Sequence, residues 1–342
     1  MTRPPSFRDG LCRPALSLRP HQLLSTVCTR AGRTCPEMPP EEAHAFLSAI
    51  GRDPTLAIRL VSEADEIVHY TRLGTGTYLP GQPARLAGAI GACPQVRDVL
   101  NRKRDLDILQ RLGLAPGDTR RARYVYELLF ERISTPDGLC AYTTPGWEGC
   151  PHAQSGAYER VREAGWPAMV YARPPEEMAA ARRESAEHIA HDDRLFVRPH
   201  HFMCMACWYA GGEGRGPRPN DTIYEIYERI RREPDVTVTL IEGCCDVCTC
   251  CDGFHPETTR CVHAGGLIRD YKKDLDLFQK LGLAPGATMP ARDFLRLLFA
   301  QIAATTEICG YGDGVVRSDE WRICGGPDGN PGYLKSRETG MP

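Results

Sequence analysis

The chain has 342 residues, 42% hydrophobic and 25% charged, with a formal net charge of −2. That length accommodates two domains with separate cores, and a near-neutral chain without a basic block gives no reason to expect nucleic acid as a partner. No apolar run approaches a membrane span, and the opening MTRPPSFRDGLCRPALS lacks the apolar stretch of a signal peptide, so a cytoplasmic protein with no membrane partner is expected. Sixteen cysteines are the anomaly. In a reducing compartment, clustered thiols bind metal or react more often than they pair, so a disulfide framework is the weaker expectation.

Taken in order, residues 1–18 read as an irregular arm. RPHQLLSTVC (19–28) follows, and a helix is expected over about 40–51. The β-branched TLAIRLV (55–61) reads as a short strand. A further helix is expected to stop at Gly113, where LGLAPG offers a left-handed C′ glycine, an apolar residue and a blocking proline. Thr119 is the expected N-cap of the next helix, RRARYVYELLFERI. RPPEEMAAARRESAEHIAHDD (173–193) reads as a solvent-facing connecting helix within a linker spanning 168–197. From residue 198 the order repeats: RPHHFMCMAC (198–207), a helix over about 221–232, the strand VTVTLIE (236–242), a helix ending at Gly282, Thr288 as N-cap, and ARDFLRLLFAQIA.

The repetition extends to identity. DLDILQRLGLAPG (105–117) matches DLDLFQKLGLAPG (274–286) at ten of thirteen positions, and YERVREAGWP (158–167) lies over YLKSRETGMP (333–342). The expected fold class is therefore α+β, built as two tandem homologous modules, 19–167 and 198–342. Each would have a few helices, a short strand or hairpin, and cysteine-bearing loops outside the helices.

Overlaying the copies pairs Cys28 with Cys207, Cys93 with Cys261, Cys140 with Cys309 and Cys150 with Cys324. Four soft ligands per copy suit an iron–sulfur cluster or structural zinc. The second copy adds Cys204, Cys244, Cys245, Cys248, Cys250 and Cys251, whereas Cys12 and Cys35 of the first have no counterpart. Cys245-x-x-Cys248 and Cys248-x-x-Cys251 have the spacing that lets two sulfurs reach one metal. In an extended segment, the neighbours Cys244–Cys245 and Cys250–Cys251 would point to opposite sides.

RPHHFMC (198–204), DVCTCC (246–251), the lone Cys261, LGLAPG and the closing IC…W…C (308–324) resemble an uncharacterised bacterial RPHH/cysteine-rich family regarded as iron–sulfur binding proteins. The resemblance implies Cys204, Cys248, Cys251, Cys261, Cys309 and Cys324 as ligands. Gly312 stands where the closing motif would offer another cysteine. In the first copy, Ser25, Val68 and Thr71 replace three of the family's cysteines.

The expected cofactor is thus an iron–sulfur cluster, [4Fe–4S] ahead of [2Fe–2S], in the cysteine-rich second copy. Cys207, Cys261, Cys309 and Cys324 are the first candidates and Cys204, Cys248 and Cys251 the competing ones. A redox or sulfur-transfer role follows, with an electron-transfer partner or a small-molecule substrate. The alternative is zinc-stapled modules acting as an interaction scaffold. His21, His200 and His201 read as backbone-bonded rather than ligating. Arg19 and Arg198 read as salt-bridged. The i,i+2 pairs Asp105/Asp107 and Asp274/Asp276 argue against paired carboxylate catalysis. Trp147 and Trp321 would shield a site, and GGEGRG (211–216) lacks the lysine of a phosphate loop.

Overall fold

The computed structural model describes residues 15–62, 94–141, 149–209, 216–263, 269–309 and 330–341. The chain divides at 171/172 into two compact units, both mixed α and β. Cys12, Cys93, Trp147, Trp321, Cys324, Val68, Thr71, Gly312 and residues 211–215 of the glycine-rich stretch lie outside the described residues.

In the first unit, strand β1 (Ala15–Leu18) leads through helices α1 (Pro20–Arg30) and α2 (Pro40–Arg52) into β2 (Ala57–Leu60). β2 pairs parallel with β1, as expected when helices fill the crossover. Helix α3 (Pro94–Leu112) then leads to β3 (Thr119–Arg121), which adds antiparallel to β2. Helices α4 (Ala122–Arg132) and α5 (Ala157–Ala164) complete the unit. Leu23, Leu24 and Val27 of α1 are buried together with Ile58 and Leu60 of β2 and Tyr126 and Leu129 of α4. That burial is the main stabilising term.

The second unit begins with α6 (Pro175–His191), the stretch read as a connecting helix; it buries Ser185 and Ile189 and packs on α8 (Ile223–Arg232). β4 (Arg194–Val197) and α7 (Pro199–Tyr209) precede α8. β5 (Thr237–Leu240) pairs parallel with β4 and antiparallel with β8 (Thr288–Pro290). The strand order thus matches that of the first unit. Between β5 and α9 (Arg269–Leu281) the chain inserts a short hairpin, β6 (Phe254–His255) and β7 (Arg260–Cys261). Helices α10 (Ala291–Gln301), α11 (Thr306–Cys309) and α12 (Pro331–Thr339) close the unit, with α12 packed on α7.

Two local expectations need correcting. Thr119 and Thr288 are strand residues, not N-caps; pairing with β2 and β5 claims their backbones, and the helices start after Arg121 and Pro290. The RPH segments, read without helix, open α1 and α7, with proline in the first turn and arginine just before it. Cys28, Cys204 and Cys207 are therefore helical, not in loops. The stops at Gly113 and Gly282 are as expected, with φ of +67° and +65°. Leu114 N–H donates to Leu109 O and Leu283 N–H donates to Phe278 O, both at 2.9 Å, closing a Schellman turn in each unit.

Candidate metal centre

The site is built on the start of α7. Asp274 of α9 is fully buried; its Oδ2 accepts from Arg198 Nε at 2.7 Å, and its Oδ1 lies 2.7 Å from His200 Nδ1 and accepts from His200 N–H at 3.1 Å. Burial opposes the charge on Asp274, but His200 and then Arg198 outweigh it and hold the carboxyl below its ordinary range. The first unit has the same clamp, with Asp105 of α3 bound to Arg19 Nε at 2.8 Å and His21 Nδ1 at 2.7 Å. Both histidines are thus fixed by a carboxylate rather than by backbone alone. The neighbouring Asp107 and Asp276 face outward and pair with Lys103 and Lys272.

Fixing His200 also fixes His201, whose ring lies 4.3 Å from it, centroid to centroid. Against this ring the chain leaving β5 turns at Gly243, φ +87°, and coils through a 3-10 turn at Asp246–Cys248. Cys248 N–H bonds Cys245 O at 2.8 Å, and Cys251 N–H bonds Cys248 O at 2.9 Å, so sulfurs three residues apart return to one side. Asp246 anchors the coil: its Oδ2 accepts from Phe196 N–H of β4 at 2.9 Å, and its carbonyl accepts from Ser185 Oγ of α6 at 2.9 Å. Arg173 donates to Thr249 O from the other side.

Two donor groups result. In the first, His201 Nδ1 lies 3.1 Å from Cys245 Sγ, and Cys245 Sγ lies 3.8 Å from Cys248 Sγ. All three donor atoms are within 4.8 Å of one another, close enough to chelate one ion. Cys244 also hydrogen-bonds Cys248, so both neighbouring thiols, 244 and 245, reach the Cys248 sulfur. Hydrogen bonds from Cys244 and then Cys245 pull the Cys248 thiol well below its usual value, while Cys244 is raised by that bond and Cys245 by burial. Burial and the adjoining His200 hold His201 down to about 3, so its ring is neutral and can offer a lone pair.

The second group is Cys251, Asp252 and His263. His263 Nε2 lies 3.1 Å from Asp252 Oδ1, and its Nδ1 lies 3.9 Å from Cys251 Sγ. The β6–β7 hairpin adds Cys261, paired across from Phe254 and hydrogen-bonded to the same ring. Burial works against charge on His263, but bonds to Asp252, Cys251 and Cys261 push it up to about 12. Gly253 N–H donates to Cys251 Sγ at 3.3 Å, and a Cβ on Gly253 would lie 2.5 Å from the His263 ring, so any larger residue there displaces the ring. Both groups open on one cavity of about 300 Å³, lined by Cys204, Cys244, Cys248, Cys251 and Cys261. Arg198, Arg218, Arg269 and Lys273 also line it; Arg198 favours negative charge at Cys244, Cys245 and Cys248, whereas Arg218 pairs with Asp221 and Arg269 and Lys273 with Asp270.

Of the candidate ligands, the structure thus brings together Cys204, Cys245, Cys248, Cys251 and Cys261. Cys207 and Cys309 do not line this cavity; Cys309 belongs to the apolar core, Cys207 packs against it, and both act on the buried Tyr333 hydroxyl. Cys250 is fully buried with its thiol toward Val247 O at 3.9 Å, and burial pushes it up to about 12. Cys28, Cys140 and Cys150 lie in the first unit, where they line a cavity of their own. His201, Asp252 and His263 were missed as donors; Cys251-Asp252 together with a histidine two residues past Cys261 was the available signal. The thirteen described cysteines are all free thiols, and no helix among the described residues is long and apolar enough to cross a membrane. No family model matches the chain, and no curated protein or solved structure is significantly similar to it.

Proposed function

We propose that the second unit is a zinc-binding module in which one ion is held by His201, Cys244, Cys245 and Cys248, with Cys251, Asp252, Cys261 and His263 as a second position. The observation that carries this reading is the approach of a neutral imidazole nitrogen and two thiols to within 4.8 Å of one another. A mixed nitrogen and sulfur donor set with four members is the chemistry of structural zinc. Such an ion would staple the coil 243–251 to α7, and a closed tetrahedral site leaves no position for substrate. The module then acts as a scaffold whose shape depends on the metal. The paired clamps at Asp105 and Asp274, the paired Schellman turns and the shared strand order support an origin of the two units by duplication.

A second reading has its own support. Five thiols around a cavity of about 300 Å³ are the number and space that an iron–sulfur cluster would use. It is also the reading that the resemblance to the RPHH/cysteine-rich family favours, and it would bring a redox role with an electron-transfer partner. Purification of the full chain under anaerobic conditions, wild type beside His201→Ala, separates the two. A zinc content that falls by about one ion per chain from wild type to His201→Ala supports the zinc module. Iron with visible absorption that survives His201→Ala would reject it in favour of all-thiolate ligation.

A further inference from the structure

The first unit, with fewer cysteines, contains an arrangement that the zinc module above does not use. Cys28 near the end of α1, Cys35 in the turn after it, and Cys140 and Cys150 beyond α4 line one small cavity. They reach it from segments that the fold ties together: Cys150 N–H bonds Cys140 O at 2.8 Å, and Cys140 N–H bonds Pro136 O at 2.8 Å. Ser25 Oγ donates to Cys35 Sγ at 2.9 Å, and the Cys35 and Cys150 thiols are hydrogen-bonded to each other.

Two of the four sit in the same local device. In Cys35-Pro36-Glu37 and Cys150-Pro151-His152, the backbone amide two residues on donates back to the cysteine sulfur. Amides aimed at sulfur stabilise a thiolate far more than a thiol, since charge-assisted hydrogen bonds are roughly twice as strong as neutral ones. Two such turns facing one cavity are what a pair of metal-bound thiolates needs. The Arg104 guanidinium, itself buried, favours negative charge at Cys140.

We propose that Cys28, Cys35, Cys140 and Cys150 form a tetrathiolate site for a single soft divalent ion, zinc by donor chemistry, in the first unit. The cavity volume of about 20 Å³ is room for one water-sized particle, which admits an ion and excludes a four-iron cluster. Binding displaces the remaining thiol protons to solvent and draws the four sulfurs onto the metal. Cys35 takes the fourth place, which the overlay of the two halves assigns to Cys93.

The test uses the full chain, reduced, stripped of metal and reloaded with Zn²⁺ alone. Double substitution Cys35→Ser/Cys150→Ser lowers the bound zinc by about one ion per chain, both in the wild type and in a Cys248→Ser background. The second background separates this site from the one in the second unit. An unchanged zinc count in either background overturns the proposal. If the double variant does not fold, the wild type decides: Zn²⁺ protects Cys28, Cys35, Cys140 and Cys150 together from iodoacetamide, and a chelator exposes them together. Equal labelling with and without Zn²⁺, or recovery of Cys35 and Cys150 as a disulfide from zinc-loaded protein, overturns it as well.

Discussion

Replacing Asp274 by asparagine keeps the side-chain shape and removes only the charge that holds the start of α7. Asp274 has 0% side-chain exposure and Arg198 5%, so solvent cannot compensate the guanidinium once its partner is neutral. Breaking a buried pair by removing one charge costs about 3–5 kcal/mol. For a domain of this size that lowers the melting temperature by roughly 6–20 °C. Asp276→Asn is the control, because its partner Lys272 is exposed and such pairs contribute about 0.3–0.5 kcal/mol. Thermal unfolding of both variants by circular dichroism, at pH 7 in metal-free buffer, measures the difference. The pH dependence has a fixed sign. The folded pKa of Asp274 lies below the unfolded value, so its contribution is complete above about pH 4 and is lost as pH falls through the folded value. Asp274→Asn should flatten that part of the acid limb. If Asp274→Asn melts within about a degree of Asp276→Asn, the clamp does not hold the helix.

Three other predictions concern the metal. Zinc binding at His201, Cys244, Cys245 and Cys248 releases protons near neutral pH, because the bond to Cys248 raises Cys244 and burial raises Cys245 in the metal-free protein. Affinity therefore rises with pH, and calorimetry in buffers of different ionisation enthalpy counts the protons; a count near zero contradicts the assignment. Asp246→Ala unpins the coil from β4, leaving its backbone bond to Ser185 of α6, and should weaken zinc binding about 10–100-fold, the usual cost of losing an outer hydrogen bond to a metal site, as read by competition with a chromophoric chelator. Gly253→Ala should displace the His263 ring and remove metal from the second position only, leaving the first ion bound; loss of both ions would show that the two groups are one centre.

Local chemistry was legible in the sequence where it closes locally. The Schellman turns at Gly113 and Gly282 need only the glycine, the following leucine and the proline, all within a few residues. The strands Ala57–Leu60 and Thr237–Leu240 announced themselves by β-branched residues. Helix α7 did not, because PHHFMCMACWY is apolar or polarisable on every side and shows no period. The clamp was beyond local reading too, since Asp105 meets His21 across 84 residues and Asp274 meets His200 across 74. The thiols followed the same division. Cys245-x-x-Cys248 was visible as a chelating spacing, but the donors that complete the groups, His201 and His263, arrive on a helix and a hairpin. Cys35 has no counterpart in the second half, yet it is the residue bonded to Cys150 in the first unit.

Extended X-ray absorption at the metal edge of the anaerobically purified full-length protein tests the central claim most directly. The expected result is zinc with a shell of sulfur at about 2.3 Å, nitrogen at about 2.0–2.1 Å and no metal–metal scattering. The nitrogen should disappear in part in His201→Ala. Iron with a metal–metal shell and no nitrogen would contradict it.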